Sequence, residues 1–150
     1  MSSGEEPGHL HPVPTRNQHW YFFHDKHHGR GGPEASRWAT DLSELEEFAI
    51  FDQADSLELS DESGNLYGLR LGEGGPQNLR DLGTLGQVVA KFPWSHPGQP
   101  WHGFPLAPIQ PVRPPHPPDR RVPKAVLRTM QERGLLNDIQ RRRLQKGRHP

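Results

Sequence analysis

The sequence predicts an α+β fold: a small, mostly antiparallel sheet with two helices, then a proline-rich extended strap and a C-terminal basic helical hairpin. Three observations lead there. Short segments alternate apolar and polar residues between Gly-, Asn- and Asp-rich turns. Two windows repeat apolar residues at helical spacing. Eleven prolines fall within residues 93–123, where composition changes abruptly.

Residues 1–17 hold Pro7, Pro12 and Pro14 and almost no large apolar group. Little there can offset the entropy of ordering, so a flexible arm is expected. The main α+β domain is expected over 18–92. The aromatic run Trp20-Tyr21-Phe22-Phe23 predicts a strand at 19–24, closed by the glycines and proline of 29–33. Residues 41–53 predict a helix, with Thr40 or Asp41 as N-cap and Glu44 at the capping-box offset from Asp41. Leu42, Leu45, Phe48 (or Ala49) and Gln53 then form its inward stripe, with Glu44, Glu46 and Glu47 mostly outward.

Residues 57–71 predict a β-hairpin. Leu57 and Leu59 alternate with polar residues, as do Leu69 and Leu71, around the turn cluster Asp61-Glu62-Ser63-Gly64-Asn65. The glycine loop from Gly72 to Pro76 connects to a short strand at 79–82. Thr84 is placed to cap a helix over 85–92, with Leu85, Val88, Val89 and Phe92 inward and Pro93 ending it. Residues 93–123 are too rich in proline for a ladder or a helix and predict extended backbone. Beyond them, Pro123 starts a helix whose end Gly134 can cap. Asn137 or Asp138 starts a second, ended by Gly147. Residues 124–150 thus read as a basic helical hairpin and tail.

Composition excludes several classes. The 150 residues contain no cysteine, so no disulfide framework or thiolate metal site is available. No apolar run is long enough to cross a membrane. The N-terminal residues lack the positive and apolar regions of a secretory signal, so a cytoplasmic address is expected. Fourteen arginines against four lysines suit a GC-rich bacterial genome, and the excess is weak as a nucleic-acid signal.

The 18 basic and 18 acidic residues balance, but they are segregated. Residues 34–62 carry ten acids and one base, and residues 113–150 carry eleven bases and three acids. The two blocks can neutralise each other. Alternatively, the basic tail binds an acidic protein surface or a phosphate backbone. Arg128, Arg141, Arg142, Arg143, Lys146 and Arg148 are the residues that would contact nucleic acid, although no recognised nucleic-acid motif is present.

Ten histidines form the second unusual feature. His19, His24, His27 and His28 stand close together beside Asp25. Imidazole and carboxylate suit a divalent metal such as zinc. Against this, His19 and His24 point to opposite faces of one strand, and no H-E-x-x-H spacing occurs. No cofactor is expected otherwise. The chain has no nucleophile elbow, phosphate-binding loop or dinucleotide fingerprint in a strand–turn–helix context. Glu46-Glu47 and Asp61-Glu62 sit on elements expected to be exposed, where a carboxyl stays an ordinary acid.

Trp94, Trp101, His102 and Phe104 punctuate the proline-rich stretch. Trp101 and Phe104 can fill a gap between sheet and C-terminal helices. The functional alternative is that all four serve a protein partner, since proline pre-organises such a segment. The expectation is therefore a non-catalytic protein-interaction adaptor or regulator acting through the strap and charged tail. The alternatives are a nucleic-acid-binding protein and a metal-dependent enzyme or metal-binding protein.

Overall fold

A computed structural model describes residues 8–10, 14–15, 17–24, 37–108 and 121–150. The fold is α+β, with a four-stranded antiparallel sheet and three helices among these residues. In chain order the elements are β1 (Gly8–Leu10), β2 (Phe22–His24), α1 (Glu44–Ser56), β3 (Leu66–Gly72), β4 (Gly75–Arg80), β5 (Val89–Phe92), β6 (Phe104–Ala107), α2 (Lys124–Glu132) and α3 (Asp138–Gln145). The main sheet runs β4-β3-β5-β6, and β1 pairs with β2 in a separate two-stranded ribbon.

Both faces of the main sheet are covered. Along β3, Leu66 and Gly68 face α1, while Tyr67 and Leu69 face α2 and α3. In β5 the same alternation turns Val89 one way and Ala90 and Phe92 the other. This is the period of two that a pleated strand imposes. Gly68 lets α1 lie close, since a Cβ there would stand 2.6 Å from Ile50 Cγ2. The α1 side is an aromatic core of Tyr21, Phe23, Trp38, Phe51, Phe92 and Trp101. The other side is aliphatic, with Val126, Leu127, Met130, Leu136 and Leu144 closing it.

Helix α1 starts at a capping box formed by Ser43 and Glu46, two or three residues beyond the caps expected at Thr40 or Asp41. Its inward face also differs from the expected stripe. Glu47, Ile50, Phe51, Ala54 and Asp55 are buried, whereas Leu45 is 73 % exposed. Two carboxylates turn inward because each meets donors there. The Tyr21 hydroxyl donates to Glu47 Oε2, and Asp55 accepts from the 15–19 segment. Burial and then the Glu47 carboxylate hold the Tyr21 hydroxyl well above its ordinary range, so it stays a neutral donor.

Several other expectations are corrected. Residues 57–60 contribute a single bridge, Ser60 to Leu66, rather than a strand. Leu57 caps α1, and Glu58 adopts a left-handed φ of 55° that breaks extended backbone. The hairpin is instead β3–β4, closed at Glu73-Gly74 by the Gly72–Gly75 pair. The short strand expected at 79–82 is β4, which begins at Gly75 and ends at Arg80. The helix expected over 85–92 is replaced by β5. Gly86 has a φ of 77° and Leu85 is exposed, while the β-branched Val88 and Val89 lead into a strand buried on both faces. The 93–123 stretch does contain a ladder strand: β6 pairs with β5, with Pro105 opposite Ala90. Proline is tolerated because β6 is an edge strand. Residues 109–120 of that stretch lie outside the described residues. The 1–17 arm is partly held: β1 pairs with β2, and Thr15 is buried.

A buried Arg70 joins β3 to the start of α1. Its guanidinium meets Asp41 Oδ1 and Glu46 Oε2, each at 3.1 Å, and donates to the Asp81 carbonyl at 2.9 Å. The hydrogen bond from Arg70, opposed by slight burial, holds the Asp41 carboxyl below its ordinary range. Every polar direction of this arginine is used inside the fold, so it is a structural tie.

Candidate functional site

A cleft of about 570 Å³ opens where three loops meet: the segment before β2, the end of α1 and the loop after β5. Its floor is Asp55, in the last turn of α1 and only 5 % exposed. A buried carboxylate is costly unless its lone pairs are filled. Here the Thr15 hydroxyl donates at 2.6 Å, the Asn17 amide at 3.1 Å, and His19 Nδ1 lies 3.1 Å away. That last contact fixes the His19 ring, which also packs against the Trp101 indole at 5.3 Å between centroids.

The walls are aromatic. Trp20 is 43 % exposed and Trp94 is 48 % exposed, and both line the cleft. Trp94 is held by design of the turn beneath it. Asp61 accepts from the backbone N–H groups of Ser63 and Asn65, from the Asn65 side chain and from the Tyr67 hydroxyl. Asn65 Oδ1 then accepts from the Trp94 backbone N–H at 2.9 Å. Gly64, at a φ of 87°, leaves room for the indole, because a Cβ there would lie 2.8 Å from Trp94 Cδ1. His96 meets the Trp94 ring edge-on at 4.6 Å.

Two of the three non-glycine residues with left-handed backbone among the described residues, Gln18 and Glu58, line this same cleft. Such conformations cost about 1–3 kcal/mol each and tend to gather at functional sites. Glu58 is exposed and supplies a second carboxylate. Among the described residues the lining includes no Lys or Arg.

Of the residues expected to bind a partner, Trp94 and Trp101 line the cleft, whereas His102 and Phe104 do not. Trp94 stands at the cleft mouth. Trp101 lines the cleft from below and is buried, its ring against Phe51 and His19, because its backbone bonds to Trp20 and Phe22 draw it into the α1 core. His102 is half-buried, and Phe104 opens β6 and packs against the aliphatic core. Of the expected metal ligands, His19 is engaged by Asp55, and His24 is described in its backbone only. Asp25, His27 and His28 lie outside the described residues. Among the described residues, no group of three or more His, Cys, Asp or Glu is placed to hold a metal ion.

The basic residues also divide. Arg141 points into the α2–α3 hairpin, bonding Gln131, Gln145 and Asp138. Arg142 pairs with the same Asp138 at 3.0 Å. Arg128, Arg143, Lys146 and Arg148 are exposed. Sequence reasoning missed Asn17, Asp55, Glu58 and His96 as cleft residues. No local signal marked them, since Asp55 meets His19 across 36 residues of sequence.

No helix among the described residues is long and apolar enough to cross a membrane. Compared with protein-family models, curated proteins and solved structures, the chain matches none.

Proposed function

We propose that the protein is a non-catalytic interaction protein, an adaptor or regulator that docks an extended segment of a partner protein in the tryptophan-lined cleft. One observation carries this reading: Trp20 and Trp94, each nearly half exposed, flank a concave surface whose supporting turn is fully hydrogen-bonded. Tryptophans presented on a rigid support are the usual energetic centre of an interface. Large amphipathic rings lose little conformational entropy on contact. An extended, proline-containing segment suits such a surface, since aromatic grooves recognise its preformed backbone.

The test is an array of short extended peptides probed with the wild-type chain and with Trp94→Ala. The Trp94 ring is half exposed, so its loss should change folding stability by under about 1 kcal/mol. Peptides bound by the wild type should lose at least about tenfold in affinity, the effect of removing one interface hot spot. Finding no peptide whose binding depends on Trp94 would overturn the reading.

A second reading rests on the exposed Arg128, Arg143, Lys146 and Arg148 of the α2–α3 pair and tail. These could contact a phosphate backbone with a steep salt dependence. The capture of Arg141 and Arg142 by Asp138 weakens it, because the densest run of charge is partly spent within the hairpin.

A further inference from the structure

We infer that the cleft selects an arginine side chain on the docked segment, its guanidinium lying on the Trp94 or Trp20 face and balanced by the Glu58 and Asp55 carboxylates. This rests on the docking reading above and names the chemistry of the partner. Three independent features converge on it.

The first is charge. Asp55 is buried against Thr15, Asn17 and His19, and the exposed Glu58 lines the same cleft. The described lining adds no Lys or Arg to offset them. A phosphate or carboxylate would face both carboxylates, whereas a cation is attracted by them. The second is the aromatic surface. An indole face carries a negative quadrupole and attracts a cation within about 6 Å of the ring centre, best of all the aromatic side chains. The third is shape. Guanidinium is planar and weakly hydrated, stacks on a flat ring, and offers several N–H donors to a carboxylate at its edge. An ammonium group is a compact, strongly hydrated point charge. A cleft that combines flat walls with carboxylates therefore favours arginine over lysine.

The experiment uses the full-length chain and its tryptophan fluorescence. Three acetylated, amidated pentapeptides serve as probes: Gly-Pro-Arg-Pro-Gly, the same peptide with citrulline in place of arginine, and the same with lysine. Citrulline keeps the shape of arginine and removes its charge. The arginine peptide should bind about tenfold more tightly than the citrulline peptide, as a partly desolvated cation–aromatic contact implies. The lysine peptide should fall between them. Glu58→Gln should lower arginine-peptide affinity more than citrulline-peptide affinity, erasing much of the arginine preference, and should leave the unfolding midpoint unchanged, since that side chain is exposed. Equal binding of the arginine and citrulline peptides would overturn the arginine assignment and leave peptide docking intact. Binding of none of the three would overturn both. A preference for arginine that survives in Glu58→Gln but vanishes in the Trp94→Ala and Trp20→Ala chains would overturn the carboxylate contact and support the ring contact. A preference that survives in all three variants would overturn the assignment to this cleft.

Discussion

Replacing Phe51 with alanine is expected to remove about 3–5 kcal/mol of folding stability, the range seen when a fully buried aromatic ring is truncated in a packed core. Phe51 has no exposed surface. Its ring meets those of Tyr21, Phe92 and Trp101 at 5.0, 5.2 and 5.7 Å between centroids. It therefore touches the segment before β2, the central strand β5 and the residue that leads toward β6. Three parts of the chain that are remote in sequence lose their common contact together. Small domains have about 5–15 kcal/mol of stability in all, so the variant should lie near the limit of folding. A urea unfolding curve measures the loss directly. Leu45→Ala, on the same helix and largely exposed, is the control and should shift stability by no more than about 0.5 kcal/mol. If the two substitutions cost the same, the inward face assigned to α1 is wrong.

Asp61→Ala is expected to cost about 1–3 kcal/mol, and to weaken ligand binding in the cleft as well. The carboxylate accepts from two backbone N–H groups, an amide and a phenol. The Tyr67 ring is buried, so truncation leaves its hydroxyl short of an acceptor, and an orphaned buried donor costs that much by itself. The turn also carries the Asn65 side chain that holds the Trp94 backbone. A structural loss confined to the core would leave the cleft's affinity unchanged, so the paired measurement separates the two effects.

The same residue gives a pH dependence of definite sign. Partial burial pushes the Asp61 carboxyl up, but the bonds from Asn65, Tyr67 and the two backbone N–H groups outweigh it and hold the pKa below the ordinary value. A carboxyl depressed in the folded state contributes stability that is fully present above its unfolded pKa. That contribution is lost as pH falls through the depressed, folded value. The wild-type chain should therefore lose stability on acidification below about pH 4. Asp61→Ala should show a shallower acid limb. Asp41 and Asp138, also held low by arginine neighbours, keep part of that limb in the variant. Burial first, and then the Asp61 charge, push the Tyr67 phenol up, so it remains a neutral donor across this range.

Much of the local structure was legible because its signals act over a few residues. Helix α1 appears where the capping pattern and spacing place it, shifted by about one turn because Ser43 outcompetes Asp41 and Thr40 as the cap. Asn137 caps α3 through its own capping box, and Gly134 and Gly147 take the left-handed conformations that end the last two helices. The 61–65 turn forms as its composition demands. Errors arose where two periods fit the same few residues. Val88, Val89 and Phe92 suit a helix stripe as well as a strand, and only the pairing of Val89 to Phe92 with β3 decides between them. Pro105 reads as a strand breaker until β6 is known to lie at the edge of the sheet.

The cleft was legible only in part. Trp94 was singled out by its place among prolines, and it does line the cleft. Asp55 and Glu47 looked like members of a solvated acidic run. Their inward turn depends on partners 36 and 26 residues away, His19 and Tyr21. The sequence alone determined the absence of thiol chemistry, the α+β class, the caps and turns, and the segregation of charge, all of which are composition or short-range stereochemistry. Only the tertiary structure decided which polar groups are buried, which tryptophan is exposed and which loops meet. Those outcomes depend on distant donors arriving to satisfy a buried charge, and no local pattern encodes that arrival.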